Sequence, residues 1–323
     1  MRNQLAKFDL YSILFQQLPR HYRREDAIMH GIVGVMILAS IVLRVVNYFF
    51  YGYTPLGITS AMAAAIPGLI VVLIAAVFMK QRFQRSGLFV EMICQCYLFV
   101  VASFFFMGSI ILTPFPVVDH QLQAIDVVMG FDLLGVMNWV ASMPWLDKIL
   151  SFSYDTWFFQ IVLTPILLAL LCQQREIDRY LVAVFASLLV GSMIYYFWPT
   201  IAPAGILESS HFLAGQHDLV TRFNEVHQGK EITVSGGGLI SFPSFHVINS
   251  LLVTFAWRRY RFVFIPLVIL NIFSIFSTMG LGYHYIVDVI GGFIIAGLSI
   301  VLARYLCPPK KNDNKTGQIS GKP

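Results

Sequence analysis

The chain has 323 residues, of which 57% are hydrophobic and only 12% charged, with a mean hydropathy of +0.72. Soluble domains carry about a quarter charged residues, and the apolar residues here fall in blocks long enough to cross a bilayer; this excludes a secreted disulfide scaffold, a disordered chain and an ordinary cytosolic enzyme. The net charge of +5 leaves a nucleic-acid partner to be weighed against the placement of the individual cations.

In residues 1–26, Leu5, Phe8, Leu10, Ile13, Leu14 and Leu18 recur at mostly helical spacing among polar residues, the pattern of a helix lying in the membrane interface. No cleavable signal is expected, because a signal peptide sets its short apolar stretch directly after its basic residues. Backbone amides in lipid must bond within their own segment, so apolar runs of about 20 residues read as helices. Eight are predicted, over 27–50, 59–79, 88–113, 155–172, 180–198, 243–256, 262–279 and 283–303, which makes the fold an all-α polytopic membrane helix bundle. The sixth is short and is expected to begin beneath the outer surface, against a protein cavity. Two outer segments are long. Residues 114–154 hold amphipathic stretches such as 126–137, and 199–241 is a polar loop with His211, His217 and His227, expected to be solvated. The tail after Cys307 is rich in Pro, Lys, Asn and Gly and is expected to be disordered. The chain thus divides into an interfacial segment 1–26, N-terminal helices with an outer amphipathic segment 27–154, a catalytic membrane domain 155–304 and a tail 305–323.

Eight spans place both termini on one side. That side collects 18 of the 22 Lys and Arg, against Lys148, Arg222 and Lys230 on the other, with Arg44 inside the first span. By the positive-inside rule the termini are then cytoplasmic, and the basic balance reads as an orientation signal with no nucleic-acid partner. Arg44 and Glu91 lie near enough to span ends to snorkel. Cys94, Cys96, Cys172 and Cys307 lie in or beside apolar blocks, and Cys94-Gln95-Cys96 lacks the two-residue spacer of a zinc or redox pair, which predicts free structural thiols.

Ionisable residues at span ends are costly and mark functional sites by default. The first such stretch is Ser241-Phe242-Pro243-Ser244-Phe245-His246, preceded by Gly236 to Gly238. Pro243 is expected in the first helical turn, capped by Ser241 or a neighbour. The free amides of that helix start, with Gly238 and the Ser244 hydroxyl, offer a cradle for a phosphate, with His246 close by. The second stretch is Tyr283-His284-Tyr285-Ile286-Val287-Asp288, followed by Gly291 and Gly292. On a helix His284 and Asp288 share a face, so the carboxylate holds one imidazole nitrogen and frees the other to attack. Both histidines open spans on the outer side. The chemistry this permits is displacement at phosphorus: His284 as nucleophile, Asp288 stabilising its imidazolium, and His246 protonating the departing oxygen. By spacing alone, a structural His/Asp pair is commoner than a catalytic one. A metal site is disfavoured because the two histidines open separate helices and nothing sets a coordination geometry.

At these residues the sequence resembles the lipid branch of the type 2 phosphatidic acid phosphatase superfamily, with Pro243-Ser244-Phe245-His246 and the His284 to Asp288 spacing as its hallmarks. It is closer in pattern to the inositol phosphorylceramide synthases and their bacterial relatives. Phe242 to His246, Ser277-Thr278-Met279, His284 to Asp288 and Gly291-Gly292 carry that likeness, and Tyr196, Pro199, Ala202 and Pro203 match the Ala-Pro-rich stretch before the outer loop. The matching motifs span 155–303. The phosphatases of the superfamily carry an upstream Lys/Arg motif and an Arg six residues before the second His. Here Thr278 stands at that Arg position, completing with Ser244 and Gly238 the expected phosphate-binding set, and no Lys or Arg lies between Tyr180 and Thr221. A dianionic phosphomonoester would be poorly neutralised in such a site, whereas a monoanionic phosphodiester asks for less charge.

The resemblance therefore implies an inositolphosphotransferase-like membrane enzyme. It would move a phospho-head-group from a lipid phosphoester donor to a lipid or alcohol acceptor through a phosphohistidine on His284, with no cofactor. The alternatives are a phosphatase of phosphatidate or polyprenyl phosphate and, less favoured, a transporter or an inactive scaffold.

Overall fold

The computed structural model describes residues 23–53, 68, 71, 84–230, 233–234 and 240–308. Most of the interfacial segment, nearly all of the second predicted span, Gly238 and the tail from 309 lie outside these residues. Within them the regular structure is helical: α1 (Arg24–Tyr51), α2 (Gln84–Ile110), α3 (Asp119–Val128), α4 (Leu133–Ala141), α5 (Pro144–Leu170), α6 (Gln174–Phe197), α7 (Ala214–His227), α8 (Phe245–Trp257), α9 (Arg261–Gly280) and α10 (Ile286–Leu306). A 3₁₀ turn, Pro203–Gly205, lies between α6 and α7.

Among the described residues, α1, α2, α5, α6, α9 and α10 are six helices long and apolar enough to cross a membrane, and α3 with α4 makes a bent seventh candidate, folded by 81°. The chain is an integral multi-pass membrane protein. The predicted eight reduce to six among these residues for two reasons. The second falls almost wholly outside them, and the sixth is α8, only 13 residues. At 1.5 Å per residue α8 is about 20 Å long, short of a bilayer core of about 30 Å. Its start is buried in the protein at Pro243 and Ser244, in keeping with a segment that begins under the surface. The fourth span starts at Pro144 rather than 155, with the proline in the first turn where its missing N–H costs nothing. Residue 155, the proposed domain boundary, therefore falls inside a continuous helix.

Helix α6 is the centre of the bundle. Its apolar window is 67% buried, against 22–39% for the other five spans, and it packs on α1, α2, α5, α8 and α10. The others leave one face apolar and exposed, as Phe158 and Phe159 of α5 and Leu298 and Val301 of α10 show, which suits a lipid solvent. Small residues let α8 wedge between α6 and α10. A Cβ on Gly191 would stand 2.8 Å from the Phe245 ring, and one on Gly292 would stand 2.8 Å from Val247 Cβ and 2.9 Å from the Ser244 carbonyl oxygen.

One end of the bundle is tied by ions. Arg23 pairs with Asp26 at 2.6 Å and with Asp178 at 2.7 Å, while Glu176 meets Arg258 at 2.8 Å and both Arg179 and Arg259 at 3.4 Å. Arg179 Nε also donates to the Cys307 carbonyl at 3.0 Å, so the starts of α1 and α6, the α8–α9 turn and the end of α10 are gathered together. Removing the carboxylate of a buried pair strands its cations. Glu176→Gln is accordingly expected to destabilise the protein by roughly 3 kcal/mol, read as a lowered thermal unfolding midpoint in detergent. An unchanged midpoint would mean that the arginines are satisfied by solvent.

Arg44 Nε donates to Ser109 Oγ at 2.9 Å and its guanidinium lies 4.5 Å from the Phe105 ring centroid, polar and aromatic partners presented by α2. One sequence expectation changes here. The segment 199–241 is not simply a solvated loop, since it holds α7. His227 there stacks on Phe223 at 3.9 Å, and its two ring nitrogens lie 2.8 Å from the Phe223 and 3.1 Å from the Thr113 carbonyl oxygens. None of the four cysteines is in a disulfide among the described residues.

Candidate active site

The two polar stretches meet at the opposite end of the bundle from the ionic cluster. The first leads into α8, whose N-cap is Ser244, its hydroxyl accepting from the Val247 amide at 3.5 Å. Pro243 thus precedes the cap instead of occupying the first turn. Ser241 is freed from the expected capping role, and the Phe242 amide donates to Thr200 Oγ1 at 3.1 Å.

The second stretch joins α9 to α10 by a tight turn. Gly282 adopts φ +78°, the left-handed conformation that glycine adopts without strain, and the amides of Tyr283 and His284 both donate to the Thr278 carbonyl at 2.9 Å. Thr278 spends its own hydroxyl on the Ile275 carbonyl at 2.7 Å and is fully buried. The geometry gives it a part in holding the His284 turn rather than a hydroxyl free for phosphate.

His284 and Asp288 do not share a helix, contrary to the sequence expectation. Tyr285 is the N-cap of α10, so His284 lies just before the helix and Asp288 is its third residue. The pair still forms, because a third-position carboxylate reaches back over the cap. Asp288 Oδ2 accepts from the Tyr285 amide at 3.1 Å and from Ser241 Oγ at 3.0 Å, and lies 3.1 Å from His284 Nδ1. Ser241 Oγ is also 3.2 Å from Nδ1. With Nδ1–H directed at the carboxylate, the Nε2 lone pair of His284 is the one available for attack. The Ser244 amide donates to the Asp288 carbonyl at 3.0 Å, a direct stitch between the two motifs.

His246 completes the cluster from the first turn of α8. Its ring centroid is 6.1 Å from that of His284, and it stacks on Tyr154 at 4.0 Å with Trp157 at 4.8 Å. Tyr154 stacks in turn on Tyr283 at 4.2 Å. His246 Nε2 is buried with no hydrogen-bond partner among the described residues. An unmet polar atom in an aromatic wall is expensive in a purely structural histidine and fitting in one that awaits a substrate oxygen. Among the described residues no Lys or Arg appears in the contacts of His246, His284 or Asp288.

The structure thus brings together His246, His284, Asp288 and Ser244, leaves Thr278 behind the site, and does not describe Gly238. Sequence reasoning missed Ser241 as a partner of Asp288, the aromatic wall of Tyr154, Trp157 and Tyr283, and the α3 carboxylates Asp119 and Asp126. The available signal was that α3 carries carboxylates on an otherwise apolar face with no cation near them in sequence. Ser241→Ala removes one of three donors to Asp288 Oδ2, and turnover is expected to fall by about tenfold with little change in unfolding temperature. Steady-state kinetics at the wild-type level would show the hydroxyl to be dispensable.

Neither the curated proteins nor the solved structures include a match to this chain. The model of the PAP2 superfamily matches residues 120–302, more than half of the chain, running from α3 into α10 and covering both motifs. With the His/His/Asp cluster seated in a bundle of membrane-length helices, the chain belongs to the PAP2 superfamily, whose members act on phosphoesters.

Proposed function

We propose that the protein transfers a phospho-head-group between lipids, in the manner of the inositol phosphorylceramide synthases, through a phosphohistidine on His284. The observation that carries this reading is the His284 ring, oriented by Asp288 through Nδ1 at 3.1 Å with its Nε2 left unengaged, 6.1 Å centroid to centroid from His246. Nε2 attacks the donor phosphorus, and an N–P bond forms as the P–O bond to the departing lipid alcohol breaks. His246 gives its proton to that oxygen. The acceptor hydroxyl then attacks phosphorus, returns a proton to His246, and releases His284. Asp288 stabilises the imidazolium side of each step. Ser244, whose hydroxyl oxygen accepts from the Val247 amide, has its proton to offer a phosphate oxygen, and the segment around Gly238 is assigned the same task. The positive-inside distribution of Lys and Arg supports a site on the non-cytoplasmic face.

Transfer is favoured over phosphomonoester hydrolysis because, among the described residues, no Lys or Arg contacts the histidines or Asp288 to neutralise a dianion, and Thr278 stands where the phosphatases carry Arg. The test is reconstitution in vesicles with phosphatidylinositol and a lipid alcohol, beside vesicles of phosphatidic acid. Head-group transfer without comparable phosphate release is expected. Ready release of inorganic phosphate from phosphatidic acid with no transfer would replace this reading by the lipid phosphatase one.

A further inference from the structure

Helix α3 reaches the first turn of α10 with two buried carboxylates. Asp119 and Asp126 stand seven residues apart, hence on one helix face, and are 0% and 3% exposed. Asp126 Oδ2 accepts from the Ile286 amide at 3.0 Å and Oδ1 from the Val287 amide at 3.4 Å. Asp119 Oδ1 accepts from the Tyr285 hydroxyl at 3.2 Å and Oδ2 from the Ile201 amide at 2.9 Å. No Lys or Arg pairs with either among the described residues. Burying carboxylates without cations is costly; Asp288 takes only the Tyr285 amide of this helix start, and Asp126 takes the next two, which no group on α10 itself accepts from.

The consequence is a stretch gripped at every residue. Thr278 holds the His284 amide, Asp119 the Tyr285 side chain, Asp126 the amides of Ile286 and Val287, and Ser241 and Ser244 the two ends of Asp288. The clamps come from three places in the chain, the end of α9, the lead into α8, and α3, which supplies those on 285–287. A misplacement of about 1 Å in a reacting group can lower a rate by roughly 100-fold.

We propose that Asp126, braced by Asp119, is a positioning residue of the catalytic site: from α3 it sets where the first turn of α10 begins and so where His284 aims Nε2. The inference rests on the reading of His284 as nucleophile. Asp126 touches no reacting atom and acts through the α10 amides, so its loss affects the chemical step and leaves substrate binding alone.

The probe is dodecyl 4-nitrophenyl phosphate, a monoanionic phosphodiester, presented to the full-length protein in detergent. Attack by His284 Nε2 forms the N–P bond and expels 4-nitrophenolate, and water then takes the phosphoryl group. Asp126→Ala is expected to lower kcat by about 10- to 100-fold with KM within about twofold of wild type. Asp126→Asn keeps one side-chain carbonyl for the Ile286 amide at the cost of the longer 3.4 Å bond from Val287, and is expected to return kcat to within about fivefold of wild type, which also covers the case of an alanine variant that fails to fold. Wild-type kcat in Asp126→Ala overturns the proposal. So does an asparagine variant with a wild-type unfolding midpoint and kcat still depressed 10-fold or more, since the cap would then not be what matters. His284→Ala run in parallel separates the two levels. If it still turns over, the nucleophile reading fails and the inference with it; if it is silent while Asp126→Ala is normal, only the inference fails.

Discussion

A His284→Ala protein is expected to lose head-group transfer by roughly 10⁴-fold or more while unfolding within a few degrees of the wild type. On the proposed mechanism the loss is large because the phosphorylated intermediate cannot form without Nε2. The fold survives because Asp288 Oδ2 keeps its bonds from Ser241 and the Tyr285 amide when the imidazole is gone. Asp288→Asn is the informative companion. Its amide can present a donor to Nδ1 and so favour the wrong tautomer, and a loss of roughly 10²- to 10⁴-fold is expected. Acid-labile radiolabel trapped on the wild type from a head-group-labelled donor, and absent from His284→Ala, is the direct measurement. Label retained on the alanine protein would move the nucleophile to another residue.

Gly292→Ala is expected to damage both stability and activity. The new Cβ would lie 2.9 Å from the Ser244 carbonyl oxygen and 2.8 Å from Val247 Cβ, and neither has room to move, since Ser244 and Val247 are both 0% exposed at the start of α8. Overpacking of this kind typically costs about 1–3 kcal/mol. The functional loss should exceed what stability alone explains, because the helices would part where the Ser244 amide meets the Asp288 carbonyl. Thermal unfolding and transfer kinetics on the same preparation test both parts. Adding Val247→Ala removes only the Cγ1 contact at 3.0 Å and keeps the Cβ that the new methyl meets, so little of the stability should return. Gly297, further along α10, has open space at its Cβ position, so Gly297→Ala is the control and should leave both readouts near wild type.

The span pattern was legible because its cause is local. Six of the eight predicted segments reappear as long helices, since each needed only an apolar run of sufficient length. The errors arose where an end is decided by neighbours. The helix containing Asp155 begins eleven residues earlier, at Pro144, because Trp145 and Asp147 extend an amphipathic turn that no hydropathy window counts as membrane. The segment 199–241 was read as a loop because the α7 sequence is polar; its helix is fastened by Gln216, whose side chain accepts from the Leu213 amide and donates to the Leu281 carbonyl.

The site divides in the same way. The groups to which the chemistry is assigned, His246, His284 and Asp288, stood out as ionisable residues at the ends of apolar blocks, where burial without a purpose is costly, and the fold brings them together. The manner of their contact was not. An i, i+4 spacing implied one helix face, but the chain places Tyr285 as the cap, and His284 meets Asp288 across it. Ser241 gave no sign of its role, because a serine beside a proline is most simply a cap, and only the approach of α8 to α10 brings it to the carboxylate.

What the sequence by itself determined is the solvent, the helical class and the chemical inventory: a charged fraction of 12% and apolar blocks of bilayer length leave few polar residues, and those few had to be functional or structural anchors. What only the tertiary structure decided is which anchors converge. Asp126 and Ile286 are separated by 160 residues, Ser241 and Asp288 by 47, and no periodicity reports on such pairs. The physical reason is range: hydropathy and capping act within a turn or a span, whereas the aim of a nucleophile is set by hydrogen bonds of about 3 Å between helices that meet only when the bundle has closed.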